Sequence, residues 1–329
     1  MPKISIIVPV YNSAETINRC INSLCNQQNG SDSWGGYLFD YEVVVIDDGS
    51  TDNSPSILNE LSKRFSQLKV LHKNNGGAAA ARKYGIENSK SDYIAFCDAD
   101  DYVDSDWLLT MYEYMIDYNA DISMIQAYLN DRNISKIINK PYTVWEWNQD
   151  QSYRKFLEHI HLNGVLWTKL FRRDLFDNLD WGTSMKIYED GYIFWQIIGK
   201  IQKIVKVLIP KYHYMFNNQS LTNSEYDMGK YNSYRMLLGR ILSDCSNGKL
   251  RIYRNEAITM NCIWTYNHLC YMLASSFQNK DVENDLVSIL RNNTRTTIGH
   301  LKGSRNKLTA IIMMLNPTIV RILYRLLRK

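Results

Sequence analysis

The chain has 329 residues, 45% of them hydrophobic, and a formal net charge of +4. That length and apolar content suit one large domain, or one domain with a helical extension. Seven Lys and Arg residues and no acid lie between His300 and Lys329, leaving about −3 on the rest, which argues against a general nucleic-acid binder. The six cysteines (Cys20, Cys25, Cys97, Cys245, Cys262 and Cys270) form no C-x-x-C pair and sit mostly in apolar runs. Reduced core thiols of a cytosolic protein are expected, not disulfides or a zinc site. A strand begins at Lys3, so no leader peptide is expected, and no uncharged apolar run reaches transmembrane length.

Lys3 to Val8 is a short β-branched run that reads as a buried strand, closed by Pro9-Val10-Tyr11-Asn12. Ser13 is placed to cap a helix with Ile17, Cys20, Ile21, Leu24 and Cys25 on one face. Residues 29–40 form a long loop whose Trp34, Tyr37 and Phe39 either pack or cover a partner. Glu42 to Ile46 is a second buried strand, ending at Asp47-Asp48-Gly49-Ser50. A helix through Ile57, Leu58, Leu61 and Phe65 leads to a third strand, Leu68 to His72. The next helix opens after Asn75-Gly76-Gly77 and carries Arg82 and Ile86, and a fourth strand ends at Asp98. Such alternation implies right-handed crossovers and a mostly parallel sheet, an α/β fold. Beyond about residue 120 the pattern loosens, with strands at Asp121–Ala127, Ile134–Asn139 and Lys203–Ile209. From about residue 225 it is helical to the end.

In open parallel sheets, ligands bind outside the carboxyl ends of the strands. Pro9–Asn12, Asp47–Asp48, Asn74–Gly77 and Asp98–Asp101 all fall on that edge. Asp98, Asp100 and Asp101 crowd three carboxylates into four positions, unfavourable unless a cation neutralises them. Hard oxygen ligands suit Mg²⁺ or Mn²⁺, which can hold a substrate diphosphate; the plainer alternative is a solvated loop. Tyr11 offers a flat face for a pyrimidine, Asp48 acceptor oxygens for an imide N–H, and Asp98 and Asp100 groups for a ribose and a metal. No G-x-G-x-x-G follows the first strand and no Walker lysine loop is present, so dinucleotide and P-loop readings fail. Glu189 and Asp190 open a helix, as ordinary first-turn acids or as a general base for an acceptor hydroxyl. His213 stands between Tyr212 and Tyr214, as a core residue or as a ligand.

Seven stretches carry a resemblance. They are Ser5 to Asn12, Val45 to Asp52, Asn75-Gly76-Gly77 through Arg82 with Gly85-Ile86, Tyr93 to Asp101, Trp167 to Arg173, Glu189-Asp190 through Phe194, and Tyr212-His213-Tyr214 with Ser220. In order and spacing, over about residues 3 to 222, they resemble the family 2 glycosyltransferases with the GT-A fold, bacterial surface-polysaccharide type. The resemblance implies a catalytic domain over 1–222, with a nucleotide-sugar half at about 1–101 and an acceptor half at about 102–222. A helical region, 223–329, follows. It implies an inverting, metal-dependent transfer from a UDP-sugar to a hydroxyl of a glycan or lipid-linked glycan, in capsule, O-antigen or exopolysaccharide synthesis, with dTDP and GDP donors as alternatives. Pro9, Tyr11, Asn12 and Asp48 would hold the uridine with Arg82 nearby. Asp98 and Ala99 would meet the ribose or diphosphate, and Asp100 would ligate Mn²⁺ or Mg²⁺ with help from His213. Asp190 would be the base, with Glu189 its rival. Met215 departs from the arginine common in the family after the aromatic pair, and Cys97 replaces an aliphatic residue.

Two other functions compete with this reading. An inactive nucleotide-sugar-binding scaffold of the same fold would be expected to have lost Asp100 and Asp190. A phosphatase is disfavoured by Asp101-Tyr102 after the Asp-x-Asp, and a calcium loop by Val103 where the turn needs glycine. In the tail, Asn316 and Pro317 read as an N-cap and a first helical position. Arg321, Arg325 and Arg328 then fall on one side of a helix rich in Ile319, Val320, Leu323, Leu326 and Leu327. Such a helix suits peripheral contact with an anionic inner-membrane surface from the cytoplasmic side; the alternative is packing on the catalytic domain.

Overall fold

The computed structural model describes residues 3–30, 39–129, 143–159, 161–216 and 224–327, with the backbone alone for 325–327. The chain divides into two compact units. One comprises residues 1–152, 164–183 and 189–217, the other 153–163, 184–188 and 218–329.

The first unit is built on one sheet. Strands β1 (Ile4–Val10), β2 (Tyr41–Asp47), β3 (Leu68–His72) and β4 (Tyr93–Phe96) run parallel in the order β3-β2-β1-β4. Their apolar runs do not alternate because both faces are covered, and Ile4, Ile6, Ile7, Val43, Val44, Val45, Ile94 and Ala95 are all fully buried. The connecting helices are α1 (Ile17–Cys25), α2 (Ser54–Arg64) and α3 (Gly77–Glu87). Helix α3 lies close on the sheet. A Cβ at Gly85 would sit 2.6 Å from both Ile46 Cδ1 and Ile7 Cγ2. Helix α1 buries the five residues expected, but it starts at Ile17 with Thr16 as cap residue. The carbonyl of Ser13 accepts from the N–H groups of Thr16 and Ile17, so the residues between form a turn.

The parallel expectation holds for these four strands, and beyond β4 the sheet is mixed. It continues β4-β8-β6-β9-β5, with β7 on β9, through β5 (Tyr102–Val103), β6 (Ile122–Leu129), β7 (Val144–Asn148), β8 (Lys169–Arg172) and β9 (Lys203–Tyr214). β8 is antiparallel to both β4 and β6, whereas β6 and β9 are parallel. β9 extends past the expected Ile209 to include Tyr212-His213-Tyr214. Pro210 lies opposite Gln126 where the register shifts, a place that tolerates a missing N–H. Helices α4 (Trp107–Asp117), α5 (Gln149–Leu157) and α6 (Glu189–Ile198) complete this part of the chain. The expected strand at 134–139 and most of the 29–40 loop lie outside the described residues. Phe39 is described; it is buried with its ring 4.7 Å from that of Tyr112.

The second unit is helical in its C-terminal part: α7 (Met228–Asp244), α8 (Arg254–Ala274), α9 (Lys280–Asn292), α10 (Thr294–His300), α11 (Ser304–Leu315) and α12 (Pro317–Leu327). Asn316 caps α12 as expected, its Oδ1 accepting from Thr318 N at 3.1 Å. Among the described residues, no helix is long and apolar enough to cross a membrane. All six cysteines are free thiols.

Candidate active site

The register of β1, β2 and β4 brings their carboxyl ends to one edge. Val10 lies opposite Asp47, and Ile7 opposite Phe96, so the chain leaves each strand beside the others. At the first exit Tyr11 is half exposed, while Asn12 has φ 49°, a left-handed conformation that asparagine tolerates well. The Asn12 side-chain carbonyl accepts from Thr51 N at 2.8 Å, and its own N–H donates to Ser50 Oγ at 2.9 Å. Asn12 therefore ties the loop after β1 to the loop after β2. Pro9 is the residue before last in β1, opposite Ile46.

Asp48 is buried, and both of its oxygens are in use. Oδ1 accepts from Gly76 N at 3.0 Å and from the Lys73 ammonium, and Oδ2 accepts from Gly77 N at 2.7 Å. These are free N–H groups at the start of α3, where a carboxylate complements the helix dipole. The oxygens read from sequence as a base contact thus also anchor α3.

Below the end of β4 the loop is held from α1. Thr16 Oγ1 donates to the Ala99 carbonyl at 2.9 Å, and Arg19 Nη2 donates to the Asp100 carbonyl at 2.8 Å. Asp101 is fully buried. Its Oδ2 accepts from the Tyr212 hydroxyl at 2.7 Å and its Oδ1 from Met215 N at 2.7 Å, while the same hydroxyl accepts from Asp98 N at 3.1 Å. Burial, then the charge of Asp98, pushes the Asp101 carboxyl up to about 8, against the bonds from Met215 and Tyr212. Trp167 stacks on Tyr212 with ring centroids 4.5 Å apart, and lies 5.6 Å from Tyr214.

The centre of the arrangement is Arg82, a buried side chain on α3. Its Nη2 donates to Asp98 Oδ1 at 2.9 Å, and Nη1 donates to Glu189 Oε1 at 2.9 Å and lies 2.9 Å from Asp190 Oδ1. Asp190 Oδ1 makes no aligned hydrogen bond, nor does Arg82 Nε, and Asp190 Oδ2 accepts from Leu166 N at 3.3 Å. Burial pushes the Asp190 carboxyl up to about 7, with Arg82 opposing and Glu189 and Asp98 adding to the rise. Nearby, Lys169 is fully buried, donates to the Val165 carbonyl and lies over the Phe194 ring at 4.8 Å. Burial and then Lys206 lower its ammonium to about 7, with Asp190 opposing.

The structure thus joins Arg82, Asp98, Glu189 and Asp190 directly. It places Pro9, Tyr11, Asn12, Asp48 and Ala99 on the same strand-end edge. The expected metal role of His213 finds no support in this arrangement. Its Nε2 is 2.8 Å from Asp104 Oδ1, and its ring is stacked on Tyr102 at 4.2 Å and on Tyr128 at 4.7 Å. Neighbours on a strand face opposite ways, so Tyr212 turns to the aspartates and His213 away from them. Among the described residues, no group of three or more His, Cys, Asp or Glu side chains forms a metal cage. The donor set still fits Mg²⁺ or Mn²⁺ at Asp100, since such ions commonly take one or two carboxylates and complete their shell with phosphate and water. Sequence reasoning assigned no individual role to Tyr212, Lys73 or Lys169, and counted Asp101 only among the crowded carboxylates. Lys169 and Tyr212 lie within stretches that carry the family resemblance, which was the available signal for them.

Residues 5–180 match the family model described as Glycosyl transferase family 2. Glycosyltransferase GlyA of Streptococcus pneumoniae serotype 4 is 27% identical over 228 residues, which are 67% of this chain and 31% of GlyA. Poly(ribitol-phosphate) beta-glucosyltransferase of Bacillus spizizenii is 38% identical over 141 residues, 42% of this chain and 21% of that protein. The chain therefore spans about a third or less of these two relatives. The crystal structure of S. aureus TarS 1–349 in complex with UDP-GlcNAc is similar with a TM-score of 0.68 at 19% identity, covering 98% of this chain and 91% of that one. That likeness is one of fold.

Proposed function

The chain belongs to glycosyl transferase family 2 and has the GT-A fold; from that premise we propose that it transfers a sugar, with inversion, from a UDP-sugar to a hydroxyl of a glycan or lipid-linked glycan in cell-surface polysaccharide synthesis. The observation that carries the reading is Arg82, which links Asp98 on the donor side to Asp190 on the acceptor side at 2.9 Å each. The UDP-GlcNAc bound by TarS supports a UDP-linked donor. In this reading residues 1–222 are the catalytic domain and 223–329 a helical region, and the protein works at the cytoplasmic face of a membrane.

Tyr11 stacks on the uracil, and Asp48, Pro9 and Asn12 hold the nucleoside. Asp98 and Ala99 meet the ribose or diphosphate. Asp100 would hold the divalent cation, which would supply neutralisation of charge on the departing diphosphate. His213 is left out of that set because it lies on the face of β9 opposite Tyr212, whose hydroxyl meets Asp98 and Asp101. Asp190 accepts the proton of the acceptor hydroxyl as that oxygen bonds to the anomeric carbon. The bond from that carbon to the diphosphate oxygen breaks, and its electron pair leaves with the UDP. A carboxyl near 7 is well matched to this task, since an effective base has a pKa near the working pH. Arg82 keeps the acid pair of α6 in place and partly neutralised, while Glu189 shares that guanidinium.

Calorimetric titration with UDP, in Mn²⁺ and then in excess chelator, tests the donor half. Binding that requires Mn²⁺ supports a UDP-metal site that includes Asp100. No binding under either condition overturns the UDP assignment and directs the search to GDP and dTDP.

A further inference from the structure

Helices α11 and α12 each show solvent an apolar stripe. On α11 it consists of Leu308, Ile311 and Leu315, spaced three and four residues apart, and on α12 of Ile319, Ile322 and Leu323. Leu315 is 76% exposed, and the other five are between 40% and 59% exposed. The opposite faces, with Ala310, Met313, Met314 and Val320, are buried. These stripes are therefore surplus to the packing of both helices. Large apolar side chains gathered on the outside of a folded unit mark a contact surface.

The way the helices are anchored keeps the stripes outward. Arg321 was expected on the polar side of a membrane-facing helix, but it points inward. Its Nη2 is 2.8 Å from Glu283 Oε2 and its Nη1 donates to the Phe277 carbonyl at 3.2 Å. Arg291 Nε donates to the Met314 carbonyl at 2.6 Å, closing the last turn of α11. Arg321 of the basic tail and Arg291 of α9 thus hold the helices in place, and the side chains of Arg325 and Arg328 lie outside the described residues. The positive charge on the surface comes from elsewhere. Arg305 is exposed one turn before Leu308 on the same stripe, Lys307 precedes Ile311 by one turn, and Lys302 is exposed just ahead of α11. No Asp or Glu occurs after Asp285, while nine Lys and Arg residues do.

We propose that the outer stripes of α11 and α12 form a surface that docks on an anionic lipid bilayer. The occupant follows from charge. A second copy of this acid-free segment would bring like charges together, whereas anionic headgroups match Lys302, Arg305 and Lys307 and the acyl boundary takes the leucines and isoleucines. At about 1.5 Å per residue, helices of 12 and 11 residues fall well short of a bilayer core of about 30 Å, so they lie on the surface without spanning it. The proposal deepens the membrane placement given under the proposed function, but its residues all belong to α11, α12 and the turn before them.

The full chain is floated with vesicles of phosphatidylcholine alone, and with vesicles that also contain phosphatidylglycerol. The expected result is flotation with the phosphatidylglycerol vesicles, weakened by salt, and little with phosphatidylcholine alone. Ile311→Glu with Leu315→Glu, and separately Ile322→Glu, should each lower that binding by about tenfold or more. Arg305→Glu should lower it at low salt. UDP titration of the same variants reports that the nucleotide site is intact, so failure of docking and failure of the glycosyl-transfer reading are told apart. Absence of flotation of the wild type with phosphatidylglycerol vesicles overturns the proposal. So does equal flotation of wild type and variants. A wild-type dimer that these substitutions dissociate, without lipid binding, assigns the surface to a second copy and also overturns it.

Discussion

Arg82 lies 2.9 Å from Asp190 with both terminal nitrogens of its guanidinium occupied by acids, Asp98 on Nη2 and Glu189 on Nη1. Three carboxylates around one buried cation are an unequal balance, and the cation is what makes the cluster tolerable. Arg82→Met leaves them without it, and removing one partner from a buried ionic cluster costs on the order of 3–5 kcal/mol. A large fall in Tm is expected. Arg82→Lys keeps the charge but lacks the planar fork, so it should fold while losing the simultaneous hold on both sides. Its turnover should fall more than its UDP affinity, as kcat and calorimetric Kd will report.

The same pair governs the pH dependence. The proposed base, Asp190, is active only when deprotonated, and burial pushes its carboxyl up to about 7 while Arg82 restrains the rise. Turnover should therefore rise with pH through about 7 and level off above it. Arg82 favours the charged carboxylate, so in Arg82→Lys, where the cation is held less closely, the rising limb should move to higher pH. Asp190→Asn should lose about 10²–10⁴-fold in kcat with UDP binding unchanged. A profile that stays flat from pH 5 to 9 in wild type, or an Asp190→Asn variant with normal turnover, would remove Asp190 from the role of base.

Tyr11 and Asp48 were read together from the sequence as nucleoside contacts, and the structure separates what each does besides. Tyr11 is half exposed, whereas Asp48 is buried and accepts from Gly76 N, Gly77 N and Lys73. Tyr11→Ala should weaken UDP binding and leave Tm nearly unchanged. Asp48→Ala should weaken UDP binding and also free the first turn of α3, at a cost of about 0.5–2 kcal/mol, the range for a lost helix cap. Thermal melts of the two variants side by side check the difference.

How much of this could be read in advance follows from the range of the interactions. Strands β1 to β4 were legible because their apolar runs are short, continuous and bounded by turns, and the polar exits named the site edge. β5 has only two residues, and β8, Lys169-Leu170-Phe171-Arg172, has just two apolar residues between two cations, so neither shows an apolar run; partner strands define them. Which of Tyr212 and His213 faces the aspartates depends on the register of β9 past Pro210, and that register shifts at Gln126. A sequence pattern cannot supply this. The union of Arg82 with Glu189 spans 107 positions, and nothing local in either segment announces the other.

Tyr212 is the last test of that register. Its hydroxyl donates to Asp101 at 2.7 Å and accepts from Asp98 N at 3.1 Å, so one oxygen ties β9 to both ends of the aspartate loop. Tyr212→Phe keeps the ring that stacks on Trp167 but leaves the Asp101 oxygen and the Asp98 N–H, both enclosed, short of a partner. A loss of about 1–3 kcal/mol in stability is expected from unpaired groups of this kind. A loop that merely filled space would show no more than that. A loop that sets the Asp98 and Asp100 carboxylates should in addition require more Mn²⁺ for half-maximal UDP binding, since their spacing is no longer fixed from behind. Asp101→Asn can still accept from Met215 N while its amide donates to the Tyr212 oxygen, so it should recover much of the stability that Asp101→Ala loses. Equal Mn²⁺ requirement in wild type and Tyr212→Phe would reduce Tyr212 to a packing residue.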